Sequence, residues 1–202
     1  MMIKHLDAKV VRVWEGLRPM TKKMLVGVLE SRDGIPANGF AHTFEYDAHS
    51  DWELSQLLSA LDADGLSKNN DRDAAELAET CEKILAEQSG SAEVFIQLAS
   101  RAIKQHDYAK LDKLSDALFE RYSSAEIAEI IRQAEFPQIR AIAYETLALI
   151  SVQQIVPLLD DPLYSEIAAN ALEQKAFEFD SEEARDVLEH LELGSDRIVD
   201  QS

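Results

Sequence analysis

The sequence predicts an all-α chain: a short α-solenoid of antiparallel helix pairs carrying an N-terminal helical and loop extension. Three observations point there. Seven Gly and five Pro in 202 residues supply little of the turn chemistry that a sandwich or barrel needs. From Asp73 onward, apolar residues recur at three- and four-residue spacing, the period of a helix with one buried face. The chain also repeats itself. Phe136-Pro137-Gln138-Ile139-Arg140-Ala141-Ile142-Ala143 returns 25 residues later as Asp161-Pro162-Leu163-Tyr164-Ser165-Glu166-Ile167-Ala168, each copy opening on a proline where a helix can begin.

In chain order, Ile3, Leu6, Val10, Val13, Trp14 and Leu17 fall at helical spacing among Lys4, Asp7, Lys9, Arg12 and Glu15, an amphipathic helix ending near Gly16 to Pro19. Thr21 to Glu30 reads as a second short helix, weakened at Gly27 by about 1 kcal/mol. A basic amphipathic segment can bind an anionic membrane or an acidic protein surface; packing on the chain's own acidic body is the expectation here. Ser31 to Gly39 is a loop by its Asp-Gly and Asn-Gly signals, and Phe40 to Tyr46 continues it with anchored rings. Ser50 and Glu53 have capping-box spacing and predict a helix start, with Leu54, Leu57, Leu58 and Leu61 on one face. That helix ends at Asp62-Ala63-Asp64-Gly65. A calcium-loop alignment of Gly65 fails, since it puts Ala60 and Lys68 at ligand positions, and Ser67 to Asp73 is read as a connector.

Helices then follow one another. Ala74, Leu77, Ala78, Cys81, Ile84 and Leu85 make one apolar stripe; Phe95, Leu98, Ala99, Ala102 and Ile103 the next; Leu111, Leu114, Leu118 and Tyr122 a third. Ser123 and Glu126 form a second capping-box pair ahead of Ile127, Ile130, Ile131 and Ala134. The expected pairs are residues 92–105 with 107–121, 123–134 with 137–150, and 152–159 with 162–178, a repeat of about thirty residues. A last helix, Glu182 to Leu191, is closed by Gly194 and carries the acidic outer face of an end cap. The domain reading is residues 1–50 as a basic amphipathic segment plus loop, 51–194 as an acidic helical-repeat domain, and 195–202 as a disordered tail.

The Pro-opened segments and the Leu158-Leu159-Asp160-Asp161-Pro162 turn resemble HEAT repeats, most clearly over residues 123–177. The resemblance implies a right-handed solenoid of stacked helix pairs that acts in protein recognition. Arg140 fits that family's arginine position; Ser165 stands there in the later copy, so an Asp/Arg ladder between repeats is incomplete. Tetratricopeptide repeats are a poorer match, lacking their Trp, Gly and Tyr positions, while an irregular helical bundle fits the same stripes. Enzymes of HEAT-like fold each need particular residues. The di-iron hydroxylases use His-Glu dipeptides, and none of His5, His42, His49, His106 or His190 is followed by Glu. The DNA glycosylases need a basic groove. Bilin lyases have diffuse motifs that leave them open.

Charge narrows the partners. Residues 1–40 hold seven Lys/Arg against four Asp/Glu, net +3, and residues 41–202 hold thirteen against thirty-four, net −21. Such a surface repels phosphate backbones and favours basic proteins, so a basic protein or peptide partner is expected and nucleic acid is not. No 18-residue apolar run suggests a membrane span, and the charged N-terminus lacks the layout of a signal peptide. Cys81 is the only cysteine, which fits a reducing, cytoplasmic setting. On an apolar stripe it is no thiolate nucleophile. No phosphate-binding loop, nucleophile elbow or zinc-protease motif occurs. The expectation is therefore a non-enzymatic scaffold or adaptor with no cofactor and no catalytic residue. The alternative is a metal-dependent protein or other enzyme using the loop from His42 to Trp52, where His42, Glu45, Asp47 and His49 are the candidate ligands at a spacing that matches no established metal pattern.

Overall fold

A computed structural model describes residues 6–30, 46–65 and 72–199. Among these residues every regular element is helical, and no helix is long and apolar enough to cross a membrane. Ile3, the loop from Ser31 to Gly39, Phe40, His42, Phe44, Glu45, Lys68 and the last three residues lie outside the described residues. Contacts divide the chain into two compact units, Met1–Ser89 and Gly90–Ser202. The divisions expected at residues 50 and 194 differ from these units, because the helix Ala48–Gly65 packs on the two helices before it.

The first unit contains α1 (Ala8–Gly16), α2 (Pro19–Glu30), α3 (Ala48–Gly65) and α4 (Arg72–Gln88). Asp7 caps α1 by accepting from the Lys9 amide at 2.8 Å, so the helix begins after Asp7 instead of running through it. It stops at Leu17, whose backbone is extended, and Arg18 stands before the proline that opens α2, where helical backbone is disfavoured. α1 packs on α3, α2 packs on both α3 and α4, and α3 packs on α4. Leu25, Leu54, Leu57, Leu58, Leu77 and Ile84 are fully buried between them, each contributing roughly 2 kcal/mol through removal from water. Cys81 joins them on the predicted stripe, fully enclosed, and burial pushes its thiol pKa well above the ordinary range.

The second unit contains α5 (Ala92–Gln105), α6 (Tyr108–Arg121), α7 (Ser124–Gln133), α8 (Pro137–Leu149), α9 (Val152–Ile155), a 3-10 turn (Val156–Asp160), α10 (Ser165–Glu178) and α11 (Glu182–Val199). α5 ends at His106, whose φ of 57° is left-handed. Its amide donates to Ile103 and the Asp107 amide to Ala102, closing the last turn in the Schellman manner. Asp107 then caps α6 by accepting from Lys110. Within the unit α5 packs on α6, α7 on α8, and α10 on the 3-10 turn; α5 also meets α7, α6 meets α8, and α8 meets α10. These are the pairs expected from the stripes.

Three local expectations change. The helix expected over 152–159 is α9 followed by the 3-10 turn, because Pro157 has no amide to continue an α-helical ladder. Pro162 does not open α10. Asp161 instead accepts through its side chain from the Leu163 amide and through its carbonyl from Tyr164 and Ser165, a turn that delays the helix to Ser165. The helix starts of α8 and α10 are therefore 28 residues apart, not the 25 of the proline register. Finally, α11 runs through Gly194 to Val199 instead of closing there; one interior glycine costs only about 1 kcal/mol.

Candidate functional site

The N-terminal end of α3 gathers most of the described candidates. Ser50 and Glu53 do not form a capping box. The helix starts at Ala48, and Asp47 is its cap, accepting at 2.8 Å from both the Ser50 amide and the Ser50 hydroxyl. Asp47 also receives Nη1 and Nη2 of Arg18, at 2.9 and 2.7 Å. This fork on a planar carboxylate is the strongest ion-pair geometry available to arginine. Chiefly through Arg18, with Ser50 adding to it, the Asp47 carboxyl is held well below the usual range.

Glu53 is only 2% exposed and reaches in the other direction. It accepts from the Arg18 amide at 2.6 Å, from Arg18 Nε at 3.0 Å and from the Thr21 hydroxyl. Burial pushes its pKa up most strongly, and the bonds from Thr21 and Arg18 together outweigh it, leaving the carboxyl ionised below its ordinary value. The Arg18 guanidinium, held chiefly by Asp47 and then by Glu53, has its own pKa raised. Both carboxylates thus have their lone pairs filled by fixed donors. Such groups clamp the turn between α1 and α2 onto α3 and are poorly placed to take a proton from a substrate.

Asp51 makes a second clamp, accepting from Tyr46 and, at 2.9 Å, from Ser89. Burial raises its pKa. His49 stands outside, its Nε2 3.9 Å from Glu53 and its ring 5.6 Å from that of Trp52 at a tilt of 54°. Trp52 is 60% exposed. It borders a groove of about 220 Å³ between α1 and α3, lined also by Arg12, Val13, Gly16, Leu17 and Gln56. A side chain at Gly16 would meet nothing within 4 Å.

Of the four candidate metal ligands, the structure places Asp47 on Arg18 and leaves His49 at the surface, while His42 and Glu45 lie outside the described residues. No group of three or more His, Cys, Asp or Glu suited to a metal ion occurs among the described residues. Sequence reasoning missed Arg18 and Thr21, the partners that determine what Asp47 and Glu53 do. The only signal was an arginine directly before a helix-opening proline.

The second unit distributes its charge differently. The Ser123 and Glu126 pair forms only half of the expected box: the Ser123 hydroxyl accepts from the Glu126 amide at 3.2 Å. The Glu126 carboxylate crosses instead to the Ala92 amide at 2.6 Å, capping the first turn of α5. Glu129 accepts from Arg132 Nε and Nη2, at 2.7 and 2.6 Å, from Gln133, and from the Tyr164 hydroxyl at 3.0 Å. Chiefly through Arg132 its pKa falls to about 2. Arg140 folds back on the Ala134 carbonyl at 2.8 Å, and Lys175 donates to the Ala148 carbonyl at 2.9 Å. Those cations serve helix C-termini, where exposed carbonyls attract positive charge. The unit carries ten Lys/Arg against twenty-two Asp/Glu, so most carboxylates are left for solvent. Comparison with protein-family models, with curated proteins and with solved structures finds no match for this chain.

Proposed function

We propose that this protein is a non-enzymatic interaction module, a short HEAT-like α-solenoid whose acidic helical surface holds a basic peptide or domain of a partner. One observation carries the reading. In Gly90–Ser202 α5 meets α7, α6 meets α8 and α8 meets α10, and the net charge of the segment is −12. Stacked hairpins present a long surface of side chains from successive helices, a geometry suited to polypeptide recognition. Carboxylates in excess of cations attract lysine- and arginine-rich chains and repel acidic ones. In the first unit the clustered carboxylates near α3 already have Arg18, Thr21 and Ser50 as partners, which disfavours a catalytic role there.

The test is fluorescence anisotropy of the full chain with a lysine- and leucine-containing peptide and with its glutamate-substituted counterpart. The basic peptide is expected to bind at low ionic strength and weaken progressively as salt rises. Equal affinity for the acidic peptide, or binding indifferent to salt, would refute the electrostatic basis of the proposal.

A further inference from the structure

Resting on that reading, we infer that the partner is a basic amphipathic helix and that it docks across the outer face of α6, α8 and α10. Three repeated pairs of an unpartnered carboxylate and an exposed apolar side chain lie on that face. Counted from the helix starts at Tyr108, Pro137 and Ser165, the ninth residues are Asp116, Glu145 and Glu173, all acidic and all exposed. Three or four residues further on stand Phe119, Leu149 and Phe177, exposed by 53%, 47% and 81%. Positions three or four apart share one face of a helix, so each helix shows the same acidic and apolar couplet.

The couplets lie side by side. α8 is flanked by α6 and α10 and backed by α7, so its exposed stripe of Ala141, Glu145 and Leu149 points away from all three. Helices in contact have axes about 8–10 Å apart, and equivalent positions on neighbouring helices assign the couplets to two rows, one of charge and one of apolar surface. None of the three carboxylates has a hydrogen-bond or ion-pair partner among the described residues. A single exposed apolar side chain is ordinary. Recurrence at equivalent positions of three alternate helices, each time beside an acid with no partner among the described residues, describes a surface with a repeat.

The chemistry of the rows selects the occupant. The acidic row calls for Lys or Arg, and the apolar row for bulky aliphatic or aromatic side chains. The rows are about 4.5–6 Å apart, three or four residues at 1.5 Å rise. A strand sends successive side chains to opposite faces and meets one row only. A helix with a basic stripe next to an apolar stripe meets both.

The experiment uses the full chain and a fluorescent helical peptide of about 21 residues, roughly 30 Å long, with leucines at three- and four-residue spacing beside a lysine stripe. A scrambled peptide of the same composition is the comparison. Three triple variants are measured: Asp116→Asn with Glu145→Gln and Glu173→Gln; Phe119→Ser with Leu149→Ser and Phe177→Ser; and, as a charge-matched control on α11, Glu182→Gln with Glu183→Gln and Asp186→Asn. Each row variant is expected to weaken binding about tenfold or more, and the charge variant to flatten the salt dependence, with the control within about twofold. Unchanged binding in the row variants, or an equal loss in the control, would overturn the surface assignment while leaving the interaction reading intact. Equal binding of the scrambled peptide would overturn the helical partner. No binding of the basic peptide to the unmodified chain would remove the proposed function together with this inference. Should the apolar variant lose helicity by circular dichroism, the charge variant, whose positions are all exposed, decides alone.

Discussion

Glu53 in the first unit and Glu126 in the second perform the same task in different surroundings. Each sits near the start of its own helix and sends its carboxylate to an amide at the start of an earlier one, Arg18 before α2 and Ala92 in α5. Around Glu53 the chain supplies a guanidinium, a threonine hydroxyl and nearly complete burial. Glu126 has the amide and partial exposure. At the start of α3 the chain therefore turns charge into internal cohesion, and the second unit leaves most of its charge facing outward. An acidic composition by itself does not distinguish these uses; the cation beside each carboxylate does.

The largest expected consequence of that contrast is in the first unit. Arg18→Ala would leave Glu53 buried without its counter-ion and should destabilise the protein by about 3 kcal/mol, read as a lowered urea midpoint. A loss below about 1 kcal/mol would mean that Thr21 and the Arg18 amide suffice to hold Glu53. Removing the corresponding cap in the second unit, Glu126→Ala, should cost about 1 kcal/mol; a cost equal to that of Arg18→Ala would erase the contrast. The smallest effect concerns Glu129. Its folded pKa of about 2 lies below the ordinary glutamate value of about 4.3. The stability it adds is therefore fully present above that ordinary value and disappears as pH falls through the folded one. Because Arg132 is exposed, solvent screens the pair and the contribution stays small. Glu129→Gln should therefore lower the melting temperature slightly at pH 6 and by less as pH falls toward 2, a difference visible in paired thermal melts.

Most helices were legible because their apolar stripes have helical period whatever surrounds them. α4 through α8 appear within a residue or two of where Cys81, Phe95, Leu118, Ile127 and Pro137 put them. The capping boxes were misread because the spacing of Ser50 and Glu53, or of Ser123 and Glu126, is the same whether the glutamate turns back to its own helix or crosses to another. Only the tertiary neighbour decides. Pro162 misled for a related reason: proline fits a helix start and a turn equally well, and the Asp161 side chain tips the balance toward the turn. In the 25-residue proline register Glu145 falls opposite Asn170. In the 28-residue register of the helix starts it falls opposite Glu173, so the acidic row emerges only from the folded chain. The division at Ser89 was equally hidden, since Gln88 to Ser91 breaks the helical pattern no more strongly than Gln105 to Asp107.

Cys81, sealed between the helices of the first unit, gives the protein a built-in clock. It is the sole sulfhydryl in the chain, so the rate at which an alkylating reagent consumes it times excursions that uncover the inner side of α4. Such excursions range in free energy from local fraying to global unfolding. A single mass shift then follows breathing at one known position, with no second thiol to confuse the trace.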